Sequence, residues 1–180
     1  MTIQERYEQL LNVPSDIQEH LPTLCRYGLL CHVIVEFGVR TGLSTIALLS
    51  SRPIEMKSYD VEITPEAESV AILAKGDGIN FELCKADVLS ISIKECDLLF
   101  IDTWHVEEQL EKELLLHARN VRRFIVLHDT TTFGLIGEDP ERRGLMFALI
   151  PFLENNRDCW RVREHFTGNN GLTVLERIYA

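Results

Sequence analysis

Short apolar runs alternate along the chain with stretches whose apolar residues recur at helical spacing. The runs fall at 33–37, 56–60, 81–85, 98–102 and 124–128. The last two are continuous enough to be strands buried on both faces. Helical patterns fit between the runs at 43–50, 65–75 and 106–119. In the last of these, Val106, Leu110, Leu114 and Ala118 form an apolar stripe, while Glu107, Glu108, Glu111 and Lys112 face water. Two helices are expected ahead of the first strand, at 3–12 and 16–30, separated by Pro14 and with Ser15 and Asp16 available as caps. They would cover one side of the sheet or the mouth of a ligand site. Beyond the loop FGLIGEDPERRG a helix is expected at 145–154, followed by runs at 160–166 and 172–177 joined through TGNNG. Asn170 and Gly171 suit a turn with positive φ, so these runs predict an antiparallel hairpin.

The alternation predicts an α/β fold: a Rossmann-like, doubly wound, mostly parallel sheet ending in the hairpin. A length of 180 residues with 46% hydrophobic content predicts one domain over 1–180, with 1–30 as N-terminal cover helices. No repeat or low-complexity tract interrupts it.

Charge narrows the partners. With 18 Lys and Arg against 28 Asp and Glu, the formal charge of -10 repels nucleic acid and anionic membrane surfaces. The basic clusters, Arg119, Arg122, Arg123 and Arg142, Arg143, read as a solvated helix end and a loop. Five scattered cysteines without a C-x-x-C pair read as small buried hydrophobes in a reducing compartment. The N-terminal stretch is charged where a signal peptide is apolar, and no segment approaches a membrane span. A soluble cytoplasmic protein is expected, with its oligomeric state left open and a homo-oligomer compatible with it.

Placed on this map, the acids converge. Glu36, Asp60, Asp87, Asp102 and Asp129 each lie at or just after the end of a strand. In an open parallel sheet that edge is where ligands bind. A single acid there would be read as a helix cap, but five on one edge point to a site. Gly38 and Gly42, with three residues between them, fail the G-x-G-x-x-G spacing of a dinucleotide site, and no Lys follows Gly42 to make a P-loop. A nucleoside carrying positive charge fits better, since glycines admit close approach and carboxylates accept from ribose hydroxyls.

EFGVRTGLS at 36–44 resembles the E-x-G-x-x-x-G-x-S motif of class I S-adenosylmethionine-dependent methyltransferases, in particular the catechol-type O-methyltransferases. The resemblance continues in order through YDVE, KADVL, DLLFIDTWH and VLHDTTTFG, a little over half the chain. It implies S-adenosylmethionine as cofactor, with Glu36, Gly38, Gly42 and Ser44 around its methionine end, Asp60 on the ribose and Asp87 beside the adenine. Asp102 and Trp104 would complete the cofactor contacts, Trp104 as an aromatic platform or as packing.

The run IDTWH places Asp102 where the resembling enzymes carry a metal-binding Asp, and His105 where they carry a catalytic Lys. Their second metal pair, Asp-Asn, corresponds to Asp129 and Thr130. Asp102, Asp129 and Thr130 are thus the candidate metal residues, for Mg2+, and the departure at Thr130 sets the metal in question. His105 is the candidate base, or else only the first residue of its helix. A His at this place also occurs in macrolide-sugar O-methyltransferases and cephalosporin-hydroxylase-like proteins, so the acceptor is a hydroxyl on a small molecule or a sugar. His128 should alternate away from Asp129 and reads as packed core. His117 caps its helix, and His20, His32 and His165 join no constellation. The expected activity is O-methylation assisted by a divalent ion. The alternative is an S-adenosylmethionine-binding module without catalysis or a partner subunit, and an NAD-linked enzyme is a distant third.

Overall fold

The computed structural model describes residues 1–178. Seven strands form one sheet: β1 (Val33–Phe37), β2 (Glu55–Asp60), β3 (Phe81–Lys85), β4 (Cys96–Ile101), β5 (Val121–His128), β6 (Trp160–Phe166) and β7 (Leu172–Arg177). Their order across the sheet is β3-β2-β1-β4-β5-β7-β6. Pairing is parallel from β3 through β5 and antiparallel at β5–β7 and β7–β6. The sheet therefore has the doubly wound form with the C-terminal hairpin that the pattern predicts. Its strand order reverses between β1 and β4, and such a reversal opens a crevice at the carboxyl ends.

Six helices flank the sheet: α1 (Ile3–Leu10), α2 (Leu21–Gly28), α3 (Leu43–Ser50), α4 (Pro65–Gly76), α5 (Glu107–His117) and α6 (Met146–Asn155). Period-two alternation sends the strand side chains into two cores. Ile34, Met56, Leu98, Phe100, Phe124 and Val126 face a cluster shared with α1, α2 and α3. Phe37, Leu99, Ile101, Ile125 and Leu127 face a second cluster shared with α5 and α6. Burial on both faces explains the continuous apolar runs of β4 and β5.

The second N-terminal helix starts later than expected. Pro22 has no N–H, so a helix running through from 16 would lose a bond at that point. Residues 18–20 instead form a short 3-10 turn, and α2 begins at Leu21 with the proline in its first turn. The turn is tied across the molecule. The Glu19 amide donates to Asn169 Oδ1 at 2.9 Å, and buried His20 places Nε2 3.0 Å from the Gly168 carbonyl. This brings 15–20 over the edge where the strand-end acids converge.

Candidate functional site

The site is built where β1 and β4 part. The Asp102 amide donates to the Phe37 carbonyl at 2.8 Å, so Gly38 and Asp102 leave the sheet side by side. Gly38 has φ +83, and a Cβ there would stand 1.9 Å from the Asp102 carbonyl oxygen. Only glycine fits this contact. Two adjoining cavities open from it and share Gly38, Arg40, Asp102, Thr103 and Trp104. The larger, about 520 Å³, runs toward β2 and β3 along Tyr59, Asp60, Glu62 and Asp87. The smaller, about 350 Å³, runs toward β5 between the N-terminal segment at Asp16 and the residues His105, Asp129 and Glu138.

The predicted residues divide between walls and supports. Gly38, Asp60, Asp87, Asp102 and Trp104 line the larger cavity, and Ser44, His105 and Asp129 line the smaller. Glu36 reaches neither. It is wholly buried and accepts from the hydroxyls of Ser44 (2.7 Å), Thr45 (2.7 Å) and Ser58 (2.6 Å). Burial pushes its carboxyl up to about 7 despite those three donors. Glu36 thus ties the first turn of α3 to β1 and β2. Gly42, at φ +81, precedes α3 and packs its backbone toward Val70, so it shapes the turn instead of walling a cavity.

Asp60 is also largely engaged. Its Oδ2 accepts from the amides of Val39 (2.7 Å) and Arg40 (3.0 Å), and its Oδ1 from that of Glu62 (3.0 Å). Three of roughly four acceptor positions are therefore filled, leaving room for one ribose hydroxyl and not for both. Glu62, on the same wall, is exposed, and among the described residues no hydrogen bond or ion pair engages its carboxylate. The sequence does not single it out, because YDVE offers two acids and only Asp60 stands at the strand end. Asp87 Oδ1 accepts from the Leu89 amide at 2.9 Å, shaping the turn beside the cavity.

Toward β5 the charges concentrate. His105 Nε2 lies 3.1 Å from Asp102 Oδ1 and 3.0 Å from Asp129 Oδ2, while its Nδ1 lies 3.1 Å from Glu138 Oε2. Burial alone would lower its pKa, but the bonds to Asp102 and Asp129 outweigh it and raise it to about 10. The isolated imidazole value near neutrality therefore does not hold here. The same bonds, acting against burial, hold Asp102 and Asp129 below the usual carboxylate range.

His128 departs from the expected core role. Its Nδ1 lies 3.3 Å from Asp102 Oδ1 and 3.5 Å from Asp129 Oδ2. The cause is Asp129, whose φ of +60 ends the strand's alternation and turns its carboxylate back to the His128 side. Asp102, His128 and Asp129 each offer one donor atom, all within 4.8 Å of one another. Asp129 Oδ1 is buried without a partner among the described residues. Two carboxylates and an imidazole suit a divalent ion, so the donors fit one. Thr130 is placed otherwise: it is buried, and its hydroxyl accepts from Thr173 at 2.9 Å, so it is His128 and not Thr130 that stands beside the two carboxylates. Arg142 lies over Trp104 at 4.9 Å and pairs with Asp139 at 3.2 Å, and Arg143 pairs with Glu107, so both loop arginines bind the chain itself. Among the described residues no helix is long and apolar enough to cross a membrane.

No protein-family model matches the chain, and no curated protein matches it. Solved structures do. The chain is similar to the O-methyltransferase TomG of Streptomyces achromogenes, involved in tomaymycin synthesis and solved with S-adenosylmethionine: 16% identity over 98% of this chain and 90% of that one, TM-score 0.67. It is similar to an O-methyltransferase of Bacillus cereus in complex with S-adenosylhomocysteine, at 15% identity over 98% and 90% of the two chains, TM-score 0.67. The N-methyltransferase NodS of Bradyrhizobium japonicum, in complex with S-adenosylhomocysteine, covers 100% of both chains at 15% identity and TM-score 0.66. At such identities the likeness establishes the fold, that of class I S-adenosylmethionine-dependent methyltransferases.

Proposed function

We propose that this chain is an S-adenosylmethionine-dependent methyltransferase acting on a hydroxyl of a small molecule or sugar. One observation carries the reading: two cavities meet at Gly38 and Asp102 on the carboxyl edge, one rimmed by acids suited to a nucleoside, the other by a titratable cluster. The larger would hold the adenosine, with Glu62 and the remaining acceptor position of Asp60 on the ribose and Asp87 near the base. Trp104, 44% exposed and lining both cavities, offers an aromatic face at their junction. Gly38 lets the backbone approach the methionine end. The acceptor would enter the smaller cavity, under the N-terminal segment at Asp16 and Ile17.

Holding the two reactants in adjoining cavities supplies proximity, the largest effect available to a methyl transfer that needs only in-line geometry. Asp102, His128 and Asp129 are the residues that would hold a divalent ion, Mg2+ by the hardness of the carboxylates, whose chemistry there is to lower the pKa of an acceptor hydroxyl. His105 stands at the cavity wall with Nε2 between the two carboxylates, and receives the proton that leaves the acceptor oxygen. Its raised pKa makes the neutral ring scarcer near neutrality and a stronger base once formed. Turnover of S-adenosylmethionine against a panel of phenols, sugars and other alcohols, with and without chelator, tests the reading. Methylation that survives chelation would remove the ion and keep the enzyme.

A further inference from the structure

Beneath the loop of Asp102 and His105 lies a small internal cavity that neither the cofactor nor the acceptor reading uses. Glu113 of α5 and His128 of β5 reach it from opposite elements, and Ile101, Leu110, Leu127 and Leu145 give it apolar walls. It leaves about 10 Å³ for the centre of a water, room for one molecule. Glu113 is 0% exposed and His128 2% exposed.

Each residue has one committed polar atom and one orphan. Glu113 Oε1 accepts from Thr103 Oγ1 at 2.7 Å and from Gln109 Nε2 at 2.8 Å. His128 Nδ1 faces Asp102 Oδ1 at 3.3 Å. Among the described residues Glu113 Oε2 and His128 Nε2 have no partner. An unpaired polar atom in such surroundings is costly, and the two residues that carry one both line this water-sized space, beside Thr103, Trp104, His105 and the apolar side chains.

We infer that this cavity binds one structural water, bridging His128 Nε2–H to Glu113 Oε2, and that Glu113 is thereby a positioning residue for His128. The bridge orients the ring so that Nδ1 is the atom presented to Asp102 and Asp129, and in the metal-free protein Nδ1–H donates to Asp102 Oδ1. Through Thr103 the same carboxylate braces the loop that carries Asp102. Histidines that ligate metals generally give their second N–H to a carboxylate, a carbonyl or a water, which is the arrangement described. The consequence for an ion rests on the metal reading above; the water and the ring's orientation rest on the chain's own atoms.

Long-range proton–nitrogen spectra of the imidazole rings, taken on chelator-treated protein without cofactor, test it. His128 should carry a proton on Nε2 as well as on Nδ1, the Nε2 proton protected from exchange and cross-relaxing with a long-lived water. Glu113→Gln should shift that resonance, and Glu113→Leu should remove the water signal. Should either variant fail to fold, the wild-type spectrum decides: an unprotonated Nε2, or a protonated one without bound water, overturns the inference. For a protein that binds Mn2+, Glu113→Gln should weaken that binding by about tenfold to a hundredfold with S-adenosylhomocysteine affinity unchanged. Unchanged Mn2+ affinity would refute the positioning role. Failure of wild type to take Mn2+ would refute only the metal reading, leaving the spectrum to decide the water.

Discussion

Asp60 and Glu62 stand two residues apart on one cavity wall, yet their removal should have opposite consequences. Asp60 holds the amides of Val39, Arg40 and Glu62, so Asp60→Ala frees three donors at once and loosens the loop that Gly38 opens. Each bond to a charged acceptor contributes up to about 1.5 to 3 kcal/mol, and partial exposure reduces this to roughly 1 each, about 3 kcal/mol in all. For a chain of this size that lowers the melting temperature by about 6 to 12 °C. The Glu62 carboxylate makes no bond among the described residues, so Glu62→Ala, which keeps the amide, should leave the melting temperature within about a degree of wild type. It should instead weaken S-adenosylhomocysteine binding by about tenfold to over a hundredfold, the loss of about 1.5 to 3 kcal/mol at one ribose hydroxyl. Thermal melts and calorimetric titration of both variants read the contrast. An Asp60→Ala protein as stable as wild type, or a Glu62→Ala protein that binds as tightly, would refute the division of labour.

Gly38→Ala should abolish cofactor binding, because its Cβ would collide with the Asp102 carbonyl and φ +83 is strained for alanine; full affinity in a titration would contradict the geometry. Asp129→Asn should weaken Mn2+ binding while sparing S-adenosylhomocysteine, since Asp129 borders only the smaller cavity, and equal losses of both would reject the separation. If His105 takes the acceptor's proton, the wild-type rate should rise with pH toward about 10, and His105→Ala should lose that limb and about a hundredfold to ten-thousandfold in turnover. For Glu36, burial raises the folded pKa to about 7 from about 4.5, so the folded state holds the proton more tightly than the unfolded state. Its contribution to stability therefore falls as pH rises across that window. Denaturant titrations should show Glu36→Gln losing less stability than wild type between pH 4.5 and 7, and parallel profiles would refute the assignment.

The fold was largely legible because its signals are local. The bounds of β1, β3, β6 and β7 match the runs read from the sequence, and the mostly parallel sheet with its terminal hairpin follows from strand-helix alternation and the Asn-Gly turn. The site was legible only as far as the edge on which its acids would collect. Glu36 is indistinguishable in sequence from a ligand-facing acid, and only the three hydroxyls converging on it reveal an internal brace. The role of His128 depends on a positive φ at Asp129, a conformation that aspartate tolerates but that no neighbouring residue announces. The raised pKa of His105 depends on Asp102 and on Asp129, which belongs to another strand end, and distance along the chain hides such a sum.

Calorimetric titration of the folded wild-type protein with S-adenosylhomocysteine, with NAD as the parallel ligand, tests the central claim most directly. The two-cavity site predicts saturable binding of one S-adenosylhomocysteine per chain and none of NAD. Absence of S-adenosylhomocysteine binding at millimolar concentration, or binding of NAD in its place, would contradict it.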